Sequence, residues 1–95
     1  MSDDLNLESE PISLHQTALK ELRQEKAEFL LLRVPQCWLT AKEVDLLARD
    51  EKSIDRLLKK LGYFCYSKNG IHRWYLRYEE AEKSWVHLDV HVGIE

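Results

Sequence analysis

Residues 85–92 alternate without a break: Val86, Leu88, Val90 and Val92 fall on one side of an extended chain, Trp85, His87, Asp89 and His91 on the other. Side chains two apart in a strand share a face, so this pattern dictates a strand with one apolar face against a core. A chain that contains such a strand must build a sheet around it. Two further strand-like runs precede it, the aromatic-rich residues 63–68 and 71–78, separated by Asn69-Gly70, the strongest short hairpin signal. The polar stretch Glu79-Glu80-Ala81-Glu82-Lys83 is expected to turn the chain into the third strand.

Upstream, Ser13 precedes Leu14, Ala18, Leu19 and Leu22, an apolar helical stripe backed by Lys20, Glu21, Arg23 and Glu25. Residues 29–34 form a nearly continuous apolar run closed by Pro35, which suits a strand buried on both faces at the centre of the sheet. A second strand is expected over residues 44–48 after a connection at 36–42. Ser53 is a candidate N-cap for a helix carrying Ile54, Leu57, Leu58 and Leu61, with Lys59 and Lys60 at its negative end and Gly62 to terminate it. The order helix, strand, strand, helix, three strands predicts an α/β (α+β) two-layer domain: a mixed sheet of about five strands with helices on one face.

Ninety-five residues make one domain with one modest core, expected over residues 11–95 behind an acidic, flexible segment at 1–10. The formal charge of −3 disfavours a nucleic-acid partner. Cys37 and Cys65 form no Cys-x-x-Cys pair and no signal-peptide pattern opens the chain, so both are read as reduced thiols in a cytoplasmic protein. No apolar run approaches the roughly 20 residues of a membrane span.

Two short patterns carry the chemistry. Glu43-Val44-Asp45-Leu46 and Leu88-Asp89-Val90-His91 set acidic residues at alternate positions within apolar runs. In strands, Glu43 and Asp45 share a face while Val44 and Leu46 enter the core. If the two strands are neighbours at about 4.8 Å, Asp89 joins the pair in a three-carboxylate cluster suited to a hard divalent cation. His87, Asp89 and His91 also share a face. Three ligands along one strand spread too far to grip one ion together, although a pair could do so.

On these residues the chain resembles the nucleotidyltransferase fold of the polymerase-β type, in particular the small nucleotidyltransferase-like proteins of bacteria. The family's acidic strand alternates carboxylate and hydrophobic residues, as Glu43-Val44-Asp45-Leu46 does, and its third carboxylate lies on a later strand between hydrophobic residues, as Asp89 does. The resemblance covers roughly residues 28–94. It implies Mg²⁺ or Mn²⁺ held by Glu43, Asp45 and Asp89, with Asp89 as general base, and transfer of a nucleotidyl group from a nucleoside triphosphate to an acceptor. Arg73 and Arg77 would bind phosphate oxygens. The family's Gly-Ser or Gly-Gly phosphate-holding pair has no counterpart, because Gln36-Cys37-Trp38-Leu39-Thr40 stands in its place, so the resemblance also fits a degenerate or partial enzyme.

Two other classes fit the residues. Residues 40–48 and 53–61 can be written as a helix-turn-helix, with the Asn69-Gly70 hairpin as the wing and Lys59, Lys60, Lys68 and Arg73 toward DNA phosphates. Whether residues 44–48 are strand or helix separates that winged helix from the sheet reading. The other class is a non-catalytic member of the same fold that binds a protein partner.

Overall fold

Ser13 opens the first helix, α1 (Leu14–Gln24), through a reciprocal capping box: its hydroxyl accepts from the Gln16 amide while the Gln16 side chain accepts from the Ser13 amide. The computed structural model describes residues 13–93, so the segment 1–10 expected to be flexible lies outside the described residues. Lys26 ends α1 in the left-handed region, at φ 61°, and the Ala27 amide reaches back to the Leu22 carbonyl in a Schellman closure. Gly62, at φ 97°, closes the second helix, α2 (Glu51–Lys60), the same way, with the Tyr63 amide bonded to the Leu58 carbonyl. Its N-cap is Asp50 rather than the expected Ser53. The Asp50 carboxylate accepts from both the amide and the hydroxyl of Ser53, and an ionised acceptor at the cap holds the first turn more firmly than a hydroxyl would.

Five strands form one mixed sheet: β1 (Leu30–Leu31), β2 (Val44–Ala48), β3 (Phe64–Asn69), β4 (His72–Glu79) and β5 (Ser84–Val92), in the spatial order β1-β2-β5-β4-β3. β2 and β5 are parallel; every other pair is antiparallel. The sheet and its two helices make the small α+β domain read from the sequence. Residues 44–48 are a strand in register with β5, so the helix-turn-helix, and the winged-helix alternative with it, is set aside. The loop between β3 and β4 is Gly70-Ile71, one residue later than the dipeptide suggested. Gly70 at φ 60° takes the first central position of a type II′ turn.

Residues 29–34 depart from expectation. Only Leu30 and Leu31 pair, with β2 alone, at the sheet edge, and Leu30, Leu32 and Val34 are exposed. β5 holds the centre instead, since the nine-residue strand has neighbours on both sides. Its apolar face and those of β2 and β4 meet both helices in one core: Val44, Leu46, Ala48, Tyr75, Val86, Leu88 and Val90 against Ala18, Leu19, Leu22, Ile54 and Leu58. Each fully buried aliphatic side chain of this kind contributes roughly 1.5–3 kcal/mol. Both helices of the described residues therefore cover one face of the sheet, and among the described residues no helix covers the other, called the open face below.

Candidate metal centre

The parity of β5 sends His87, Asp89 and His91 to the open face, and its parallel register with β2 sets Asp45 directly beside Asp89. Glu43 stands two residues ahead of Asp45 on the same side. Glu43, Asp45 and Asp89 each offer an oxygen within 4.8 Å of the others. Exposure falls across the trio, with side chains 43 %, 18 % and 9 % accessible in that order. Burial, opposed by the nearby His87 and reinforced by the charges of Asp45 and Asp89, pushes the Glu43 carboxyl above its ordinary range. Such mutual repulsion is what a cation relieves.

β4 contributes the other half of the site. Its antiparallel register sets Trp74 opposite Asp89 and His72 opposite His91. Asp89 thus lies between Asp45 and Trp74, which accounts for its burial on a face that no helix of the described residues covers. The His72 ring stacks on Trp74, with centroids 5.1 Å apart and planes 6° from parallel, and its Nδ1 lies 3.0 Å from Asp89 Oδ1 and 3.3 Å from Oδ2. His91 Nε2 is 3.6 Å from the same Oδ2. His87 is engaged elsewhere: Nε2 hydrogen-bonds the Tyr66 hydroxyl at 2.7 Å, and Nδ1 is 3.9 Å from Glu43. Burial and then the charges of Glu43 and Asp89 raise the Tyr66 hydroxyl above its usual value. The histidine pair that shares an oxygen with Asp89 is therefore His72 and His91, from two strands, and not two members of the β5 row.

Arg73 and Arg77 do not join the carboxylates. Their positions pair with Val90 and Val86, whose side chains enter the core, so both arginines point to the helix-covered face. Arg73 Nε binds Glu51 of α2 at 2.8 Å. Arg77 binds Glu21 of α1 at 2.9 Å and lies 4.6 Å above the Tyr63 ring. They fasten helices to the sheet. Lys59 and Lys60 are likewise paired, with Asp55 and Glu25. The guanidinium that does stand beside the carboxylates is Arg33, which is highly exposed, with Nε 3.9 Å from Asp45. Arg33, His72 and Tyr66 escaped the sequence reading as site residues.

Compared with known proteins, the chain matches no family model, no curated protein and no solved structure.

Proposed function

We propose that this domain binds a divalent cation, Mg²⁺ or Mn²⁺, through Glu43, Asp45 and Asp89 on its open sheet face, in the manner of a nucleotidyltransferase-like, metal-dependent phosphoryl-transfer site. The observation that carries the reading is the convergence within 4.8 Å of three carboxylates, Asp45 and Asp89 from the parallel strands β2 and β5 and Glu43 from the residue just before β2. Hard cations take oxygen ligands and keep several waters, so a shallow site with graded exposure suits them. A cation held there would neutralise phosphate charge and lower the pKa of an attacking hydroxyl. Arg33 replaces Arg73 and Arg77 as the side chain able to reach a phosphate oxygen from beside Asp45. No helix among the described residues is long and apolar enough to cross a membrane, and the site needs none.

The test is calorimetric titration of Mn²⁺, alone and with ATP, GTP or CTP, into the wild type, Asp45→Asn and Arg33→Ala. Loss of either Asp45 or Asp89 from a three-carboxylate site should weaken the metal by at least about tenfold. Nucleotide binding that requires Mn²⁺ and falls in Arg33→Ala supports phosphoryl-transfer chemistry. A wild type that binds no Mn²⁺ while folded by circular dichroism refutes the reading.

A second reading, a non-catalytic interaction module, is favoured by one observation. Phe64, Tyr66, Tyr78 and Trp85 are 42–49 % exposed on the open face, with the Trp85 ring packed edge-on against Phe64 and Tyr78. Aromatic side chains grouped in this way on an uncovered sheet are typical of binding surfaces. Sedimentation over a concentration series tests it for a second copy of the chain: self-association should appear and be lost in Trp85→Ser, whereas a monomer at all concentrations removes that occupant.

A further inference from the structure

We infer that His72, Asp89 and His91 form a second metal site on the open face, selective for a borderline transition-metal ion such as Zn²⁺. Three observations converge. Asp89 Oδ2 lies 3.3 Å from His72 Nδ1 and 3.6 Å from His91 Nε2. Four-coordinate zinc, with bonds of about 2.0–2.2 Å to nitrogen and oxygen, separates its ligand atoms by about 3.3 Å, so these contacts already approximate ligand spacing. A ring nitrogen of each histidine and an Asp89 oxygen lie within 4.8 Å of one another.

The second observation is that His91 Nε2 is buried and has no hydrogen-bond partner among the described residues. At 3.6 Å the Asp89 oxygen is too distant to satisfy it. A buried imidazole nitrogen left empty is unfavourable in a packed structure, and a metal bond would resolve it. The third is support for the ligands. Parallel stacking on Trp74 fixes the plane of the His72 ring, and the carboxylate between the two rings is itself buried, so the donor set is held in place before any ion arrives. Nitrogen donors also separate this site from the carboxylate trio, since imidazole suits Zn²⁺ and related ions whereas carboxylate oxygens suit Mg²⁺ and Mn²⁺. Three protein ligands leave a fourth position for water or a small anion, the arrangement of an open rather than a closed zinc site. The inference shares Asp89 with the proposed Mg²⁺ or Mn²⁺ site and otherwise stands on different residues.

The test titrates Zn²⁺ into the wild type and follows the imidazole nitrogens by long-range ¹H–¹⁵N NMR, which needs no variant. Saturating Zn²⁺ should move the His72 and His91 ring nitrogens and leave those of His15 and His87 in place. Calorimetry should give one equivalent bound, weakened at least about tenfold in His72→Phe and in His91→Phe, each of which keeps an aromatic ring at its position. Asp45→Asn should retain Zn²⁺ binding. Unmoved His72 and His91 nitrogens at saturation, or undiminished affinity in both phenylalanine variants, overturns the inference. Zn²⁺ binding with these shifts in a protein that ignores Mn²⁺ strikes only the carboxylate reading, and the reverse pattern strikes only this one.

Discussion

Asp45→Asn should make the metal-free protein more stable. The Asp45 side chain is 18 % exposed, and its carboxylate lies within 4.8 Å of both Glu43 and Asp89. Two like charges at that separation repel by about 0.9 kcal/mol in bulk water and about 3.5 kcal/mol at an effective dielectric of 20. Glu43 is two-fifths exposed, so the total relief from the two pairs belongs toward the low end, at about 2 kcal/mol. The substitution also removes the Arg33 ion pair, but that guanidinium is 82 % exposed at 3.9 Å, and such a contact contributes about 0–1 kcal/mol. The net expectation is about 1–2 kcal/mol of added stability, or roughly 4–8 °C in Tm for each kcal/mol in a domain of this size. The assay is urea or thermal unfolding at pH 7 in low salt with a chelator present. The gain should shrink as salt is added, because the repulsion is screened. Saturating Mn²⁺ should reverse the ranking: at 100 times its Kd a ligand adds about 2.7 kcal/mol to the protein that binds it. A metal-free Asp45→Asn protein that is less stable than wild type would refute the reasoning, since it would mean that the carboxylates are held by structural partners rather than for a cation.

Three further outcomes are expected. Burial and then the neighbouring His87 lower the pKa of His15, whose Nε2 accepts from the His87 amide at 3.2 Å and so has its lone pair occupied, and below the ordinary value of 6.5 the unfolded chain takes up a proton that the folded one refuses; stability should therefore be flat above about pH 7 and fall on acidification, less steeply in His15→Gln, as read by urea midpoints from about pH 7.5 to about pH 5. Tyr75→Phe removes a 2.5 Å hydrogen bond from a buried hydroxyl to Asp55 and should cost about 1–2 kcal/mol, below the full value of a charged hydrogen bond because Asp55 is partly open to water. The same change should raise the Asp55 pKa by NMR titration, since burial pushes that carboxyl up and the hydrogen bonds from Tyr75 and Lys59 are what hold it below its ordinary range. Lys26→Gly places glycine at φ 61° and should stabilise the end of α1 by about 0.5–1 kcal/mol, measured by urea unfolding.

Local signals in the chain were reliable where the physics is local. The apolar stripe after Ser13, the Gly62 stop, the strand alternation of residues 85–92 and the hairpin glycine all depend on a few adjacent residues, and each element formed. Residues 29–34 went astray because an apolar run specifies burial only if something is present to bury it. The run joins the sheet only at its edge, through two ladder pairs with β2 and one further bond from the Leu32 amide to the Asp45 carbonyl, and among the described residues nothing covers Leu30, Leu32 and Val34. Asp50 displaced Ser53 as cap because an aspartate three residues earlier could bind both the amide and the hydroxyl of that serine.

The site was half legible for a reason that register makes plain. The acidic trio needed only strand parity, which the alternation supplies, and one neighbour relation, β2 beside β5, which the sequence left as a condition and the sheet order meets. His72 needed a register: the four residues between Glu79 and Ser84 fix β4 against β5, and counting outward from that turn brings position 72 opposite 91. The same count decides the arginines. Trp74, Leu76 and Tyr78 look more core-like than Arg73 and Arg77, so composition alone favours the wrong face of β4. Only Tyr75, which must oppose Leu88 to complete the core, shows that the arginine face is the inner one. The inner face accepts two guanidinium groups because α1 and α2 each present a glutamate to meet them, and the apolar stems of the arginines add to the packing. Trp74, displaced to the outer face, stands opposite Asp89 and stacks on the His72 ring that binds its carboxylate. The arrangement that misdirects a composition-based reading of β4 is therefore the same one that builds the pocket for a buried carboxylate between two imidazoles.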